Sequence, residues 1–388
     1  MYLQPLRWLA SSVVVAYYCS AYRIRGWGKL PRDPGPRLLI ANHQHEIESA
    51  VIISLLNLKG LIWRHPIFTV SSRRMWEPGF LAERIPWMSP FLRTANLGWL
   101  FSSLGMQPIE NELHVRPFVS VAYTLAQQGD LPIDAVFSES ARARLGPSIA
   151  TLKDILAPRN FGIARSRVKL TEVGEPYRKQ ILAFTRTQLD SDLAHFETLQ
   201  RSGATIFLAP EGDYSGDGKM QRLRGALPRL APLAQIWLCG ISYDPFVGRR
   251  LSMLYRVLRS TTSDPLDIQL KRTRPVTVSA LLSYWLWVDP ERPFTAREAR
   301  DAVRTSLEGL PRELFVDPAL RMHPAATVDR ALEGMRRLGV VLREGDRYRL
   351  TSTRRHPQFP RTHDIVEYQR NFHVETLEGA EWTTTDRT

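Results

Sequence analysis

His43 and Glu48 are the residues in this chain whose types and spacing best suit proton transfer. They stand in Arg37-Leu-Leu-Ile-Ala-Asn-His-Gln-His-Glu-Ile-Glu48-Ser, followed by a run of Ala, Val, Ile and Leu to Leu58. Leu38 to Ala41 reads as a short buried strand, and the polar cluster after it opens an apolar helix. In α/β proteins chemistry gathers where a strand ends and a helix starts. With a helix beginning near Gln44, Glu48 lies one turn inside it and reaches back to one imidazole nitrogen of His43. The other nitrogen then takes a proton from a hydroxyl, while the carboxylate fixes the tautomer and stabilises the imidazolium. Asn42 sits beside this pair. The competing reading is an ordinary helix N-terminus, where acidic residues are favoured by the helix dipole.

A second stretch, Ile206-Phe-Leu-Ala-Pro-Glu211-Gly212-Asp-Tyr-Ser215, is again an apolar strand ending in a polar turn, and Arg222-Leu-Arg-Gly-Ala226 follows it. Together the two stretches resemble the glycerolipid acyltransferase family, the lysophosphatidic acid acyltransferase-like enzymes. Their first motif is Asn-His, four residues, then Asp; their third is Phe-Pro-Glu-Gly-Thr-Arg-Ser, followed by a basic residue and Gly-Ala. Between them, Ser72-Arg-Arg-Met-Trp-Glu-Pro-Gly79, the segment to Gly98 and Leu104 to Asn111 fall where the second motif belongs. The likeness covers roughly Leu30 to Leu282.

The resemblance implies acyl transfer from a thioester, either acyl-CoA or an acyl carrier protein, to a lipid-like hydroxyl at a membrane surface, with no bound cofactor. It makes His43 the general base and Glu48 its orienter. Asn42, Asn111, Pro210, Glu211, Gly212, Arg224 and Gly225 are then the substrate-binding positions. Three departures bear on the acceptor. Glu48 replaces the family's Asp and adds a methylene; Asn111 replaces the arginine that ends the second motif; Asp213-Tyr214 replaces Thr-Arg. Those arginines help hold a phosphate in the family, so their loss argues against a lysophosphatidic acid acceptor. Arg116, Lys219, Arg222 and Arg224 are the candidate substitutes.

The elements that must position these residues imply an α/β fold, a mainly parallel sheet flanked by helices. The expected strands are Ile67 to Ser71, Leu104 to Ile109, Gln235 to Tyr243 and Val276 to Ser283. The expected helices are Val115 to Gln128, Pro176 to Arg201 and Gly225 to Leu233. Residues 31–289 form the acyltransferase domain on this reading, with a helical insertion at about 130–203. Trp76 to Phe91, dense in aromatic residues and prolines, is the candidate groove for an acyl chain.

Residues 1–30 read as a membrane-associating segment. The apolar stretch Trp8 to Tyr22 is flanked by arginines and tyrosines and falls short of the about 20 residues that a spanning helix needs, which suits an interfacial helix. Residues 290–376 read as helices followed by a hairpin, a small winged-helix-like appendage, with 377–388 as a polar tail. Arg330, Arg336 and Arg337 could meet phosphates there, but a packing or partner-binding role is preferred to nucleic-acid binding.

The 388 residues carry 52 Lys plus Arg against 39 Asp plus Glu, a formal net charge of +13. That excess suits an anionic partner, here the cytoplasmic face of a membrane or an anionic acyl carrier. Cys19 and Cys239 alone support neither a disulfide framework nor a zinc site. The His43, His45, Glu46, Glu48 cluster lacks the final Asp-His pair of a metal-dependent hydrolase, so no metal is expected. The alternative from another class is a lipid- or partner-binding protein that keeps the fold without catalysing transfer.

Overall fold

The computed structural model describes residues 4–385 apart from 31–34, 46, 60–66, 78–91, 93–94, 97, 111–113, 128, 213 and 224–225. In chain order the strands are β1 (Tyr22–Trp27), β2 (Arg37–Ala41), β3 (Ile67–Ser72), β4 (Met106–Ile109), β5 (Val115–Pro117), β6 (Arg167–Lys169), β7 (Thr205–Leu208), β8 (Gln235–Asp244) and β9 (Leu251–Arg259). The chain divides into two compact units, one from Phe68 to Leu199 and one made of Gln4–Ile67 and Gln200–Thr388.

The larger unit carries strands in the order β1-β9-β8-β2-β7. Pairing is parallel for β1 with β9 and for β2 with both β8 and β7, and antiparallel for β8 with β9. The mixed α/β architecture with a mostly parallel sheet and flanking helices therefore stands. β2 is buried along its whole length, as expected of a central strand that reads as a continuous apolar run. β1 and β9 were not legible in the sequence; β1 takes Tyr22–Trp27 into the sheet edge, immediately after the N-terminal helix.

That helix runs Gln4–Ala21 and packs on the Glu48–Leu58 helix, with Asn57 Nδ2 donating to Ser11 Oγ at 3.1 Å. Its other side leaves Trp8, Leu9, Val13 and Tyr17 exposed, Leu9 by 56%, Val13 by 62% and Tyr17 by 67%. Leu9, Val13 and Tyr17 repeat every fourth residue and so form one stripe. No described helix is long and apolar enough to cross a membrane.

In the smaller unit β3 and β4 pair in parallel and β5 pairs antiparallel with β6. The expected helix from Val115 begins instead at Phe118, because Val115–Pro117 is extended against Arg167–Lys169; it runs to Ala126. The Tyr177–Arg201 helix matches its expected range closely, and Gly203 follows at φ 86°.

Three expectations are corrected in the C-terminal half. Val276 to Ser283 is not a strand: Thr277 accepts a hydrogen bond from Ala280 N and caps a helix, Val278–Leu286. The Val-Thr-Val alternation leaves only a single bridge, Val276 to Val316. The helix expected over Gly225 to Leu233 is a short turn of α-helix, Leu227–Leu230, continued as 3₁₀ to Leu233. The expected polar tail from 377 is helical as far as Thr385, the end of the Ile365–Thr385 helix, with Ala380 fully buried.

Residues beyond 290 contribute helices Ala296–Gly309 and Pro324–Arg337, then the hairpin of β11 (Val341–Glu344) and β12 (Arg347–Leu350), with β10 (Phe294–Thr295) added to β12. Thr295 and Glu298 form a capping box at the start of the first of these helices. This region shares a single hydrophobic core with the sheet, to which Tyr243, Phe246, Leu332, Met335 and Phe359 all belong. Gly334 lies so close to Phe246 that a Cβ would come within 1.7 Å of its carbonyl oxygen.

Candidate active site

β2 delivers the first motif. Where it ends, Asn42 is fully buried, and its amide holds the strand end to β8: Nδ2 donates to Ile241 O at 3.0 Å and Oδ1 accepts from Ile241 N at 2.7 Å. Asn42 thus meets backbone with both ends of its amide, which sets the position of the residue that follows.

The helix expected from Gln44 starts at Glu48, with Ile47 as its N-cap residue and no side-chain cap. Asn42 to His45 lies outside regular secondary structure, and the Glu48 side chain folds back toward it. Glu48 Oε2 lies 2.7 Å from His43 Nδ1, and Gln44 N donates to the same carboxylate at 2.9 and 3.0 Å. A carboxylate facing Nδ1 requires the hydrogen there, so the neutral imidazole carries its lone pair on Nε2. The His43 side chain is 19% exposed and that of Glu48 2%.

Glu211 reaches the same turn from the end of β7. It is 1% exposed, and Oε1 accepts from His43 N and Oε2 from Gln221 N, both at 2.7 Å. Burial pushes its carboxyl up to about 7, against the pull of the His43 hydrogen bond, the Arg274 charge and the Gln221 hydrogen bond. Glu211 therefore turns inward and fastens two loops together. Pro210 beside it is buried, while Gly212 is exposed and turns the chain at φ 75°, where glycine alone is free of strain. Asn111, Asp213, Arg224 and Gly225 lie outside the described residues, as does most of the aromatic segment from Trp76 to Phe91. Arg116 is in the smaller unit, where it pairs with Glu110 at 3.0 Å; Lys219 and Arg222 are exposed.

Tyr214 is the next described residue of this loop. Its ring meets that of His43 edge to face at 5.4 Å. Arg361, from far along the chain, lies over the Tyr214 ring at 4.1 Å and donates from Nη1 to Tyr214 O at 3.3 Å. His45 donates from Nε2 to Gln358 O at 2.8 Å and packs among Tyr22, Tyr214, Tyr243 and Phe359. Burial and the neighbouring His45 lower His356 to about 4, so it is neutral at physiological pH.

The last helix holds the loop that carries Tyr214. Glu375 Oε2 accepts from Met220 N at 2.8 Å and from Arg274 at 3.1 Å, and Asn371 Nδ2 donates to Asp217 O at 2.9 Å. A groove of about 600 Å³ opens beside Tyr214, lined among others by Asp217, Gln221, Arg361, Asp364 and Glu367. None of these C-terminal partners carries a motif; only their pairing with the Glu211 loop reveals them. Among the described residues no three His, Cys, Asp or Glu side chains converge to hold a metal ion.

No protein-family model matches this chain, and no curated protein matches it either.

Proposed function

We propose that this chain is a membrane-associated acyltransferase that moves a fatty acyl group from a thioester to a lipid-like hydroxyl. The observation that carries the reading is the 2.7 Å contact between His43 Nδ1 and Glu48 Oε2, with the His43 backbone tied to Glu211. The likeness to the glycerolipid acyltransferase motifs supports the same conclusion.

In this mechanism Nε2 of His43 removes the proton from the acceptor hydroxyl as its oxygen attacks the thioester carbonyl carbon. Glu48 stabilises the imidazolium that results. Collapse of the tetrahedral intermediate breaks the C–S bond, and the departing thiolate takes the proton back from His43. A thiol with a pKa near about 8.5 leaves without strong acid assistance. The base contributes about 10²–10⁴-fold, roughly 3–5 kcal/mol of barrier. Coenzyme A or an acyl carrier protein supplies the thioester.

The groove beside Tyr214 supports an acceptor without a phosphate at that end. Asp217 and Glu367 line it with Arg361, while Asp364, also in the lining, is paired with Arg354; the set carries no surplus of positive charge for a phosphate and offers acceptors for hydroxyl groups. The exposed stripe of the N-terminal helix supports docking at a cytoplasmic membrane face.

The test is transfer of labelled acyl groups from acyl-CoA and from acyl carrier protein into total lipid extract, comparing the wild type with His43→Ala in membranes. A labelled lipid that disappears in a folded His43→Ala variant supports the reading. Absence of any wild-type-dependent product with either donor overturns it in favour of lipid or partner binding without chemistry.

A further inference from the structure

A second pocket, of about 290 Å³, lies in the larger unit and shares no lining residue with the His43 site. Arg256 of β9, Arg312 and Arg321 line it, with Phe315, Val316 and Met322 as apolar walls and Glu313 as the one acidic residue in the lining. None of the three arginines has an ion-pair partner among the described residues. Arg256 is half-buried, and its guanidinium stacks on the Phe315 ring at 5.0 Å. Burial lowers its pKa, the mark of a cation withdrawn from water without a counter-charge.

The other acid of this segment, Asp317, does not add to that charge. Asp317 is 1% exposed, and Arg25 engages it in a two-pronged pair at 2.8 and 2.6 Å while Ala319 N donates to it at 3.1 Å. Three cations against Glu313 leave an excess of two positive charges around the pocket. A phosphate monoester dianion balances that excess and offers enough oxygens for several guanidinium forks, whereas a carboxylate does neither. Met322, 66% exposed, and Phe315 give the ligand an apolar wall to lie against.

We propose that this pocket binds the phosphate group of an organic phosphate whose ring or short apolar part rests on Phe315 and Met322. The site stands independently of the acyl-transfer reading.

Titration of the full-length protein with ADP, inorganic phosphate and monomeric dihexanoyl phosphatidic acid, followed by calorimetry at low and high salt, tests this. Saturable binding at one site per chain that weakens with salt is expected for ADP or the short phosphatidic acid, with inorganic phosphate weaker. Preference for ADP identifies a soluble phosphate ester, and preference for the phosphatidic acid a lipid headgroup. Arg256→Ala and Arg321→Glu should each weaken binding by roughly tenfold or more. Arg321 is exposed, so its variant remains informative if Arg256→Ala unfolds. No saturable binding of any probe, an equal response to acetate, or unchanged affinity in Arg321→Glu overturns the proposal.

Discussion

Glu48 is the first residue of its helix, yet its carboxylate meets the imidazole of His43, five residues earlier, at 2.7 Å. The Glu48 side chain spans the distance between them, and Gln44 N holds the carboxylate in place. The length of the glutamate side chain is thus matched to a helix that starts only at Glu48.

Shortening that side chain should break the arrangement. We expect Glu48→Asp and Glu48→Gln each to lower the rate of acyl transfer by roughly 10²-fold or more, with the acceptor KM little changed. Residues that act as a unit are not additive, so Glu48→Gln should cost almost nothing further in a His43→Ala background. Single-turnover rates for the wild type, Glu48→Gln, His43→Ala and the double variant decide this. An equal loss in both backgrounds would mean that Glu48 acts other than through His43.

Glu211 links the site to pH. Its carboxyl rises from an ordinary 4.5 to about 7 on folding, chiefly through burial. Between those values the folded chain binds more protons than the unfolded one, so stability falls as pH rises from 4.5 to 7 and levels off above. The loss amounts to roughly 3 kcal/mol. Glu211→Gln should remove this slope and cost about 1–3 kcal/mol, because an amide has one acceptor oxygen for two backbone N–H groups. Denaturant unfolding of both proteins at pH 5 and pH 8 measures it. A wild-type advantage that is the same at both would show Glu211 ionised throughout.

The first motif and its strand were legible because a buried parallel strand reads as an unbroken apolar run and because Asn-His and Pro-Glu-Gly end two such runs. The start of the helix was not, since Ile47 offers no capping side chain and Gln44 to Ile47 carries no signal that separates turn from helix. β9, Leu-Ser-Met-Leu-Tyr-Arg-Val-Leu-Arg, mixes buried polar and apolar residues without turn signals inside it. Thr277 fits a strand pattern and a helix cap equally well, and its bond to Ala280 decides the matter. The C-terminal support was beyond local reading altogether, because Gln358 meets His45 across 313 residues and Arg361 meets Tyr214 across 147.

The N-terminal helix gives a separate expectation for the membrane. Leu9, Val13 and Tyr17 form its exposed stripe. Replacing Leu9 and Val13 together by glutamate should reduce sedimentation with anionic vesicles by at least roughly tenfold, given about 1.5–3 kcal/mol for burying each side chain. The thermal midpoint should hold, since the opposite face of the helix carries the packing. Unchanged vesicle binding would assign the attachment to another surface.

The C-terminal helix should matter for catalysis although it bears none of the reacting groups. Gly218 turns at φ 82°, and a Cβ there would lie 2.2 Å from Tyr368 O in that helix. Gly218→Ala must therefore push the loop that carries Tyr214 away from its support. Glu375→Ala attacks the same support chemically: Met220 N loses its acceptor, and Arg274, 1% exposed, loses its hydrogen-bonded carboxylate. Removing one partner of a buried ion pair costs about 3–5 kcal/mol, so Glu375→Ala should unfold well before the wild type. Glu375→Gln keeps an oxygen for Met220 N and should recover much of the activity but less of the stability. Comparing transfer rates and unfolding midpoints across these variants separates the two roles. If Gly218→Ala transfers acyl groups at the wild-type rate, the position of Tyr214 against His43 does not matter to the reaction.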